Sequence, residues 1–241
     1  MINAKCSMTN ELVRSRKLPV AVLAACCLLP GLQTLVAVQL QWLTAITYPA
    51  LKAAMIIAPI AVWRWCRLGR ANVLGRIGLQ KTRLLVGALV GAAMAGVILA
   101  AYYGIFRGRV DHVAPLLIDK LNSLGLKEHY WSMVVVISFA NSMLEEYYWR
   151  GFILSELLAR VGRATACLIA GGLFGLHHVF AVLCLADGWL IALGVACTVA
   201  AGLVWAWMRV RGASLIDCYV SHIMADLAAL WVGWDLISRA S

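Results

Sequence analysis

The stretch LLVGALVGAAMAGVILAAYYGI, residues 84–105, contains 22 residues and no charge. About 20 consecutive apolar residues span a bilayer as a helix, whereas a helix of a soluble core keeps a polar face. The stretch is one of seven predominantly apolar runs. The candidate spans are 18–40, 43–63, 84–105, 131–153, 165–186, 189–208 and 214–236. The whole chain agrees: of 241 residues, 63% are hydrophobic and 13% charged, about half the charge of an ordinary soluble domain. The fold class read from this is all-α, a polytopic membrane protein with a bundle of about seven transmembrane helices, within a range of six to eight. No linker or internal repeat divides it, so residues 1–241 form one transmembrane domain.

The net charge of +10 does not indicate nucleic acid. The basic residues sit in short clusters between apolar runs, which is how membrane topology is encoded. With the N-terminus cytoplasmic, fourteen Lys and Arg fall on inner segments (Lys5, Arg14, Arg16, Lys17, Arg64, Arg67, Arg70, Arg76, Lys81, Arg83, Arg160, Arg163, Arg209, Arg211). Five fall outside (Arg107, Arg109, Lys120, Lys127, Arg239). The expected orientation is N-terminus inside, C-terminus outside. The first apolar run follows Arg14, Arg16 and Lys17 like a signal sequence, but hydrophobicity resumes after Pro30-Gly31, so it reads as an uncleaved first helix that kinks or re-enters there. In the second run Lys52 lies mid-span and either snorkels or faces the protein interior. Residues 113–126 repeat apolar positions at helical spacing, the pattern of an amphipathic interfacial helix. Eight scattered cysteines form no CxxC pair and no disulfide or zinc-ribbon pattern.

Chemistry is concentrated in three spans. NSMLEEYYWRGF at 141–152 places Glu145, Glu146 and Arg150 at the inner end of the fourth. Intramembrane charges cost roughly 2.5–3.5 kcal/mol each on insertion scales, and persist when paired or when they line a wet cavity. Glu146 and Arg150 are four apart and share a helix face, while Glu145 is rotated about 100° from Glu146. One carboxylate is therefore free to pair with the arginine and the other to bind or deprotonate water. The fifth span contains GGLFGLHHVF, with Phe174 and His178 on one face and Gly171, Gly172 and Gly175 allowing a neighbouring helix to approach. The seventh contains SHIMADL, with His222 and Asp226 on one face. At ~1.5 Å per residue, the three groups lie roughly 12–20 Å below the inner surface, so they can meet at one level.

EExxxR at 145–150, FxxxH at 174–178 and HxxxD at 222–226, in that order and each in its own span, resemble the CPBP family of intramembrane proteases (CAAX proteases and bacteriocin-processing enzymes). The likeness covers a core of about residues 131–236. It implies an intramembrane endopeptidase in which Glu145 is the general base that activates water and His178 assists. Glu146, paired with Arg150, holds the site together, Phe174 supports it, and His222 and Asp226 help bind the water or the oxyanion. Asp226 stands where asparagine is the more familiar residue. It donates only if protonated; otherwise it mainly orients His222. His177, about 100° round the helix from His178, reads as a packing or polar-cavity residue.

Hydrolysis without a metal is the preferred chemistry, because HExxH is absent and adjacent glutamates on one helix do not both ligate easily. Zinc on Glu145, His178 and His222 is the alternative. No GxSxG motif or suitably placed cysteine suggests a covalent nucleophile. The implied partners are the lipid bilayer and a membrane-anchored protein or peptide substrate; family precedents are prenylated C-terminal tails, bacteriocin-related leader peptides and C-terminal sorting tags of bacterial surface proteins. Short loops favour a bacterial inner membrane and a bacterial substrate. Two rival classes are a proton- or ion-coupled transporter, which would place carboxylates and histidines in a membrane as relays, and a non-catalytic immunity or scaffold protein.

Overall fold

The computed structural model describes residues 17–78 and 82–240. Lys5, Arg14, Arg16 and Lys81, four of the basic residues that point to the orientation, lie outside the described residues. Among the described residues nine helices follow one another, with no strand. They are α1 (Val20–Gln39), α2 (Thr44–Trp65), α3 (Arg70–Ile77), α4 (Leu84–Phe106), α5 (Ala114–Ser123), α6 (130–158), α7 (Arg163–Leu185), α8 (Gly188–Val210) and α9 (Leu215–Ala240). Six of them, α1, α2, α4, α7, α8 and α9, are long and apolar enough to cross a membrane. The molecule is an all-α polytopic membrane bundle. The remaining expected span, 131–153, is helical throughout, but α6 is assembled from α-helical and π-helical pieces and carries the site's charges.

Pro30 does not break α1. The helix continues past it and loosens into a π segment, Thr34–Gln39, with the Thr34 hydroxyl donating to Pro30 O at 3.0 Å. The basic segment after α2 forms the short helix α3, and the expected amphipathic stretch forms α5.

Two helix pairs have the most extensive packing: α4 on α9, and α7 on α8. Glycines set both approaches. A Cβ on Gly91 of α4 would fall 2.9 Å from Ser221 Cα, and one on Gly171 of α7 would fall 2.7 Å from Leu203 N. Without a hydrophobic drive between helices in lipid, such close backbone contact supplies the association. The register of α9 is fixed at its start by a reciprocal cap: Asp217 N donates to Ser214 Oγ at 3.1 Å and Ser214 N to Asp217 Oδ2 at 2.7 Å. Arg83 N, just before α4, donates to the other Asp217 oxygen at 2.6 Å. At the far end the Tyr102 hydroxyl of α4 donates to Asp235 of α9 at 2.6 Å. The two helices are thus tied at both ends, which holds His222 and Asp226 at a fixed depth.

The other elements position α6. The Tyr148 hydroxyl donates to Cys26 O of α1 at 2.7 Å. Trp63 of α2 meets Tyr147 and Phe152 edge-on. At the end of α6, Glu156 pairs with Arg76 of α3 and with Arg160.

Gly171→Val should therefore push α7 from α8 and cost about 1–3 kcal/mol, as overpacking does. Gly172→Val, which meets open space, should leave stability unchanged; thermal unfolding in detergent compares the two.

Candidate active site

The site is built around α6. Val136–Asn141 and Glu146–Ile153 are π-helical, and between them Ser142–Glu145 is a single α-turn. Such interruptions of an α-helix re-aim the side chains that follow and are frequent at functional sites. Glu146 and Arg150 form the expected i,i+4 ion pair, 3.1 Å apart, with side chains 0% and 2% exposed. A buried pair of this kind is tolerable only with further partners. Phe174 and Trp205 supply two of them, their ring centres 4.3 and 5.0 Å from the guanidinium. His222 supplies another, its Nδ1 2.8 Å from Glu146 Oε1.

That contact sets the histidine's tautomer. A carboxylate oxygen accepts, so His222 Nδ1 carries the proton it donates. Its Nε2 is left 3.7 Å from Glu145 Oε2 and 3.6 Å from Asp226 Oδ1. Trp205 stacks on the ring at 4.0 Å and fixes its plane. His222 thus stands between the two glutamates, with Glu146 holding one ring edge and Glu145 facing the other.

His178 is placed by a break in α7. The α-helix ends at His177, and His178 N closes the turn on Gly175 O at 3.1 Å before helix resumes at Val179. The Phe174 carbonyl accepts from His178 Nδ1 at 2.9 Å. In the neutral ring the lone pair is therefore on Nε2, which suits a base or a ligand. The same break lets the neighbouring ring turn inward. His177 is buried, its Nε2 is 3.6 Å from Glu145 Oε1, and its ring centre is 3.9 Å from that of His178. Regular helical spacing separates the two histidines by about 100°; the structure brings both to Glu145.

Phe174 is central to the cluster, with ring contacts to Trp149, His177, His178, Trp205 and His222. Asp226 is half-buried and accepts from the Ser142 hydroxyl as well as facing His222. All seven residues singled out in the sequence lie in this one cluster. Asn141, Ser142, His177 and Trp205 join them without having been marked as site residues.

A metal is testable on the donor set. Glu145, His177 and His178 each offer a ligand atom, all within 4.8 Å of one another. One carboxylate and two imidazoles are zinc-type ligands, and the Phe174 carbonyl on His178 is the outer hydrogen bond such histidines carry. The residues fit the ion. The imidazole grouped with Glu145 and His178 at ligand distance is His177, whereas the alternative set read from the sequence names His222.

Replacing Arg150 with Met should leave Glu146 buried without its cation and destabilise the fold by about 3–5 kcal/mol. Arg150→Met combined with Glu146→Gln should recover part of that loss; folded yield and thermal midpoint in detergent measure both.

Comparison with protein families matches residues 127–228 to the model described as Rce1-like, type II CAAX prenyl endopeptidase. No curated protein and no solved structure matches the chain. EExxxR, FxxxH and HxxxD all lie in the matched segment, and over that segment the chain is similar to the Rce1-like model, in agreement with its resemblance to the CPBP family.

Proposed function

We propose that the protein is an intramembrane endopeptidase that hydrolyses a peptide bond of a membrane-anchored protein, with Glu145 as the base. The observation that carries this reading is the convergence of Glu145 with His177, His178 and His222, from three helices, at a buried point. The Rce1-like match over the residues that supply these groups supports it.

The chemistry follows from the contacts. Water bound between Glu145 and His178 Nε2 gives a proton to the Glu145 carboxylate as its oxygen bonds to the scissile carbonyl carbon. The carbonyl electron pair moves to oxygen, and His222, protonated at Nε2 as well as at the Nδ1 that donates to Glu146, donates to the resulting oxyanion while Asp226 faces the same ring edge. The C–N bond then breaks as the proton held by Glu145 passes to the leaving amine. Glu146, engaged by Arg150 and His222, takes no proton in this scheme and keeps the His222 ring oriented.

The reading favours hydrolysis by the glutamate and histidines alone. Were zinc bound, Glu145, His177 and His178 would hold it, and it would polarise the carbonyl or the water.

The proposed setting is a bacterial inner membrane with the N-terminus cytoplasmic and the C-terminus outside, an orientation supported by the fourteen-to-five distribution of basic residues. C-terminal sorting tags of bacterial surface proteins are the first substrate class to assay, with prenylated tails beside them.

Mapping the termini of membrane-anchored proteins by mass spectrometry tests the proposal in cells. Termini made by the wild type should vanish equally in a deletion strain and in His178→Ala at matched protein level. Their persistence in His178→Ala would contradict the mechanism. Zinc chelation of isolated membranes should leave the cleavage rate within about twofold if no metal takes part, whereas loss of general acid–base chemistry costs about a hundred- to ten-thousandfold.

A further inference from the structure

Lys52 is the one cation of α2 that lies away from its ends, in a helix of 22 residues. It is half-buried and turns toward α6. Its Nζ donates to Asn141 Oδ1, and Asn141 Nδ2 donates to Glu145 Oε1 at 2.9 Å. Tyr48, one turn earlier on α2, places its ring 5.5 Å from the same ammonium. The three polar groups form a line from α2 to the base.

The donor and acceptor inventory makes the line directional. An ammonium only donates and a carboxylate only accepts, while an asparagine amide has one accepting end and one donating end. A single orientation of the Asn141 amide satisfies both neighbours. Lys52 thereby determines that the N–H end, and not the carbonyl oxygen, faces Glu145. Without the ammonium the amide is free to turn its oxygen toward the carboxylate.

We infer that Lys52 and Asn141 are positioning residues for Glu145: Lys52 orients the amide, and the amide pins one carboxylate oxygen while the other faces His222. The inference rests on the proposed role of Glu145 and adds to it a part supplied by α2, which lies outside the family-matched segment. The Asn141 hydrogen bond at Oε1 holds the carboxylate from within α6, with His222 of α9 3.7 Å from Oε2, and small displacements of a reacting group cost up to about a hundredfold in rate.

Two measurements on the purified full-length protein test this. The first needs no substrate: labelling of Glu145 by a hydrophobic carbodiimide, read by mass spectrometry. In Lys52→Met and in Asn141→Ala the freed oxygen should label several-fold faster than in the wild type, and Lys52→Arg should return labelling to near the wild-type rate. The second is kinetic, on a substrate that the wild type cleaves and Glu145→Gln does not. Lys52→Met should lower kcat about ten- to a hundredfold with KM within twofold, and adding it to Asn141→Ala should cause no further loss. Unchanged labelling, or losses that multiply in the double variant, would overturn the inference. A loss that follows only the folded yield would do so too, since it would make the contact a clamp between α2 and α6. If the wild type cleaves nothing, the protease reading fails, while the labelling still decides whether the amide holds Glu145.

Discussion

The Glu146–Arg150 ion pair is the constraint around which the bundle is organised. Neither group reaches solvent, so each has to be compensated within the protein. The pair lies on α6, but its compensation comes from elsewhere: Phe174 from α7, Trp205 from α8 and His222 from α9. Satisfying one buried pair therefore brings four helices to a single point. The same rings that shield Arg150 also fix the histidines, since Trp205 stacks on His222 and Phe174 borders both His177 and His178. Compensation of the charge and construction of the site are one arrangement.

That arrangement gives adjacent glutamates different tasks. Glu146 is held on two sides by Arg150 and His222. Glu145 faces three imidazoles and an amide, and no Arg or Lys touches it directly in the contacts described. A carboxylate in such surroundings exchanges protons with neighbours that also exchange protons. In the proposed mechanism the glutamate with a permanent cation is a fixture, and its neighbour is the working group.

Much of this was legible in the sequence. Seven apolar runs gave the helices within a few residues, and helical spacing paired Glu146 with Arg150 correctly. Three motifs in three spans indicated a common depth, and Glu145, His178 and His222 do meet. What escaped the sequence depended on departures from regular helix. A regular helix turns His177 about 100° from His178 and makes it a packing or polar-cavity residue, yet α7 breaks at His178 and both rings reach Glu145. The apolar run 131–153 reads as one uniform span, but α6 contains two π segments that nothing in its composition announces. Lys52 is conspicuous as a mid-span cation, but its partner Asn141 is 89 residues away, beyond any local pattern. Tryptophan in a membrane protein usually sits at the interface, so composition gives no sign that Trp205 forms a wall of the site.

The central claim is that Glu145 performs the chemistry while Glu146 and its partners hold the site. The most direct measurement is single-turnover cleavage of a membrane-anchored substrate by purified protein in liposomes, comparing the wild type with Glu145→Gln, together with the thermal midpoint of each. Glutamine keeps the shape of the side chain and removes its capacity to take a proton. The account predicts an unchanged midpoint and a cleavage rate lower by at least about a hundredfold. A Glu145→Gln protein that folds equally well and cleaves within a few-fold of the wild-type rate would contradict it.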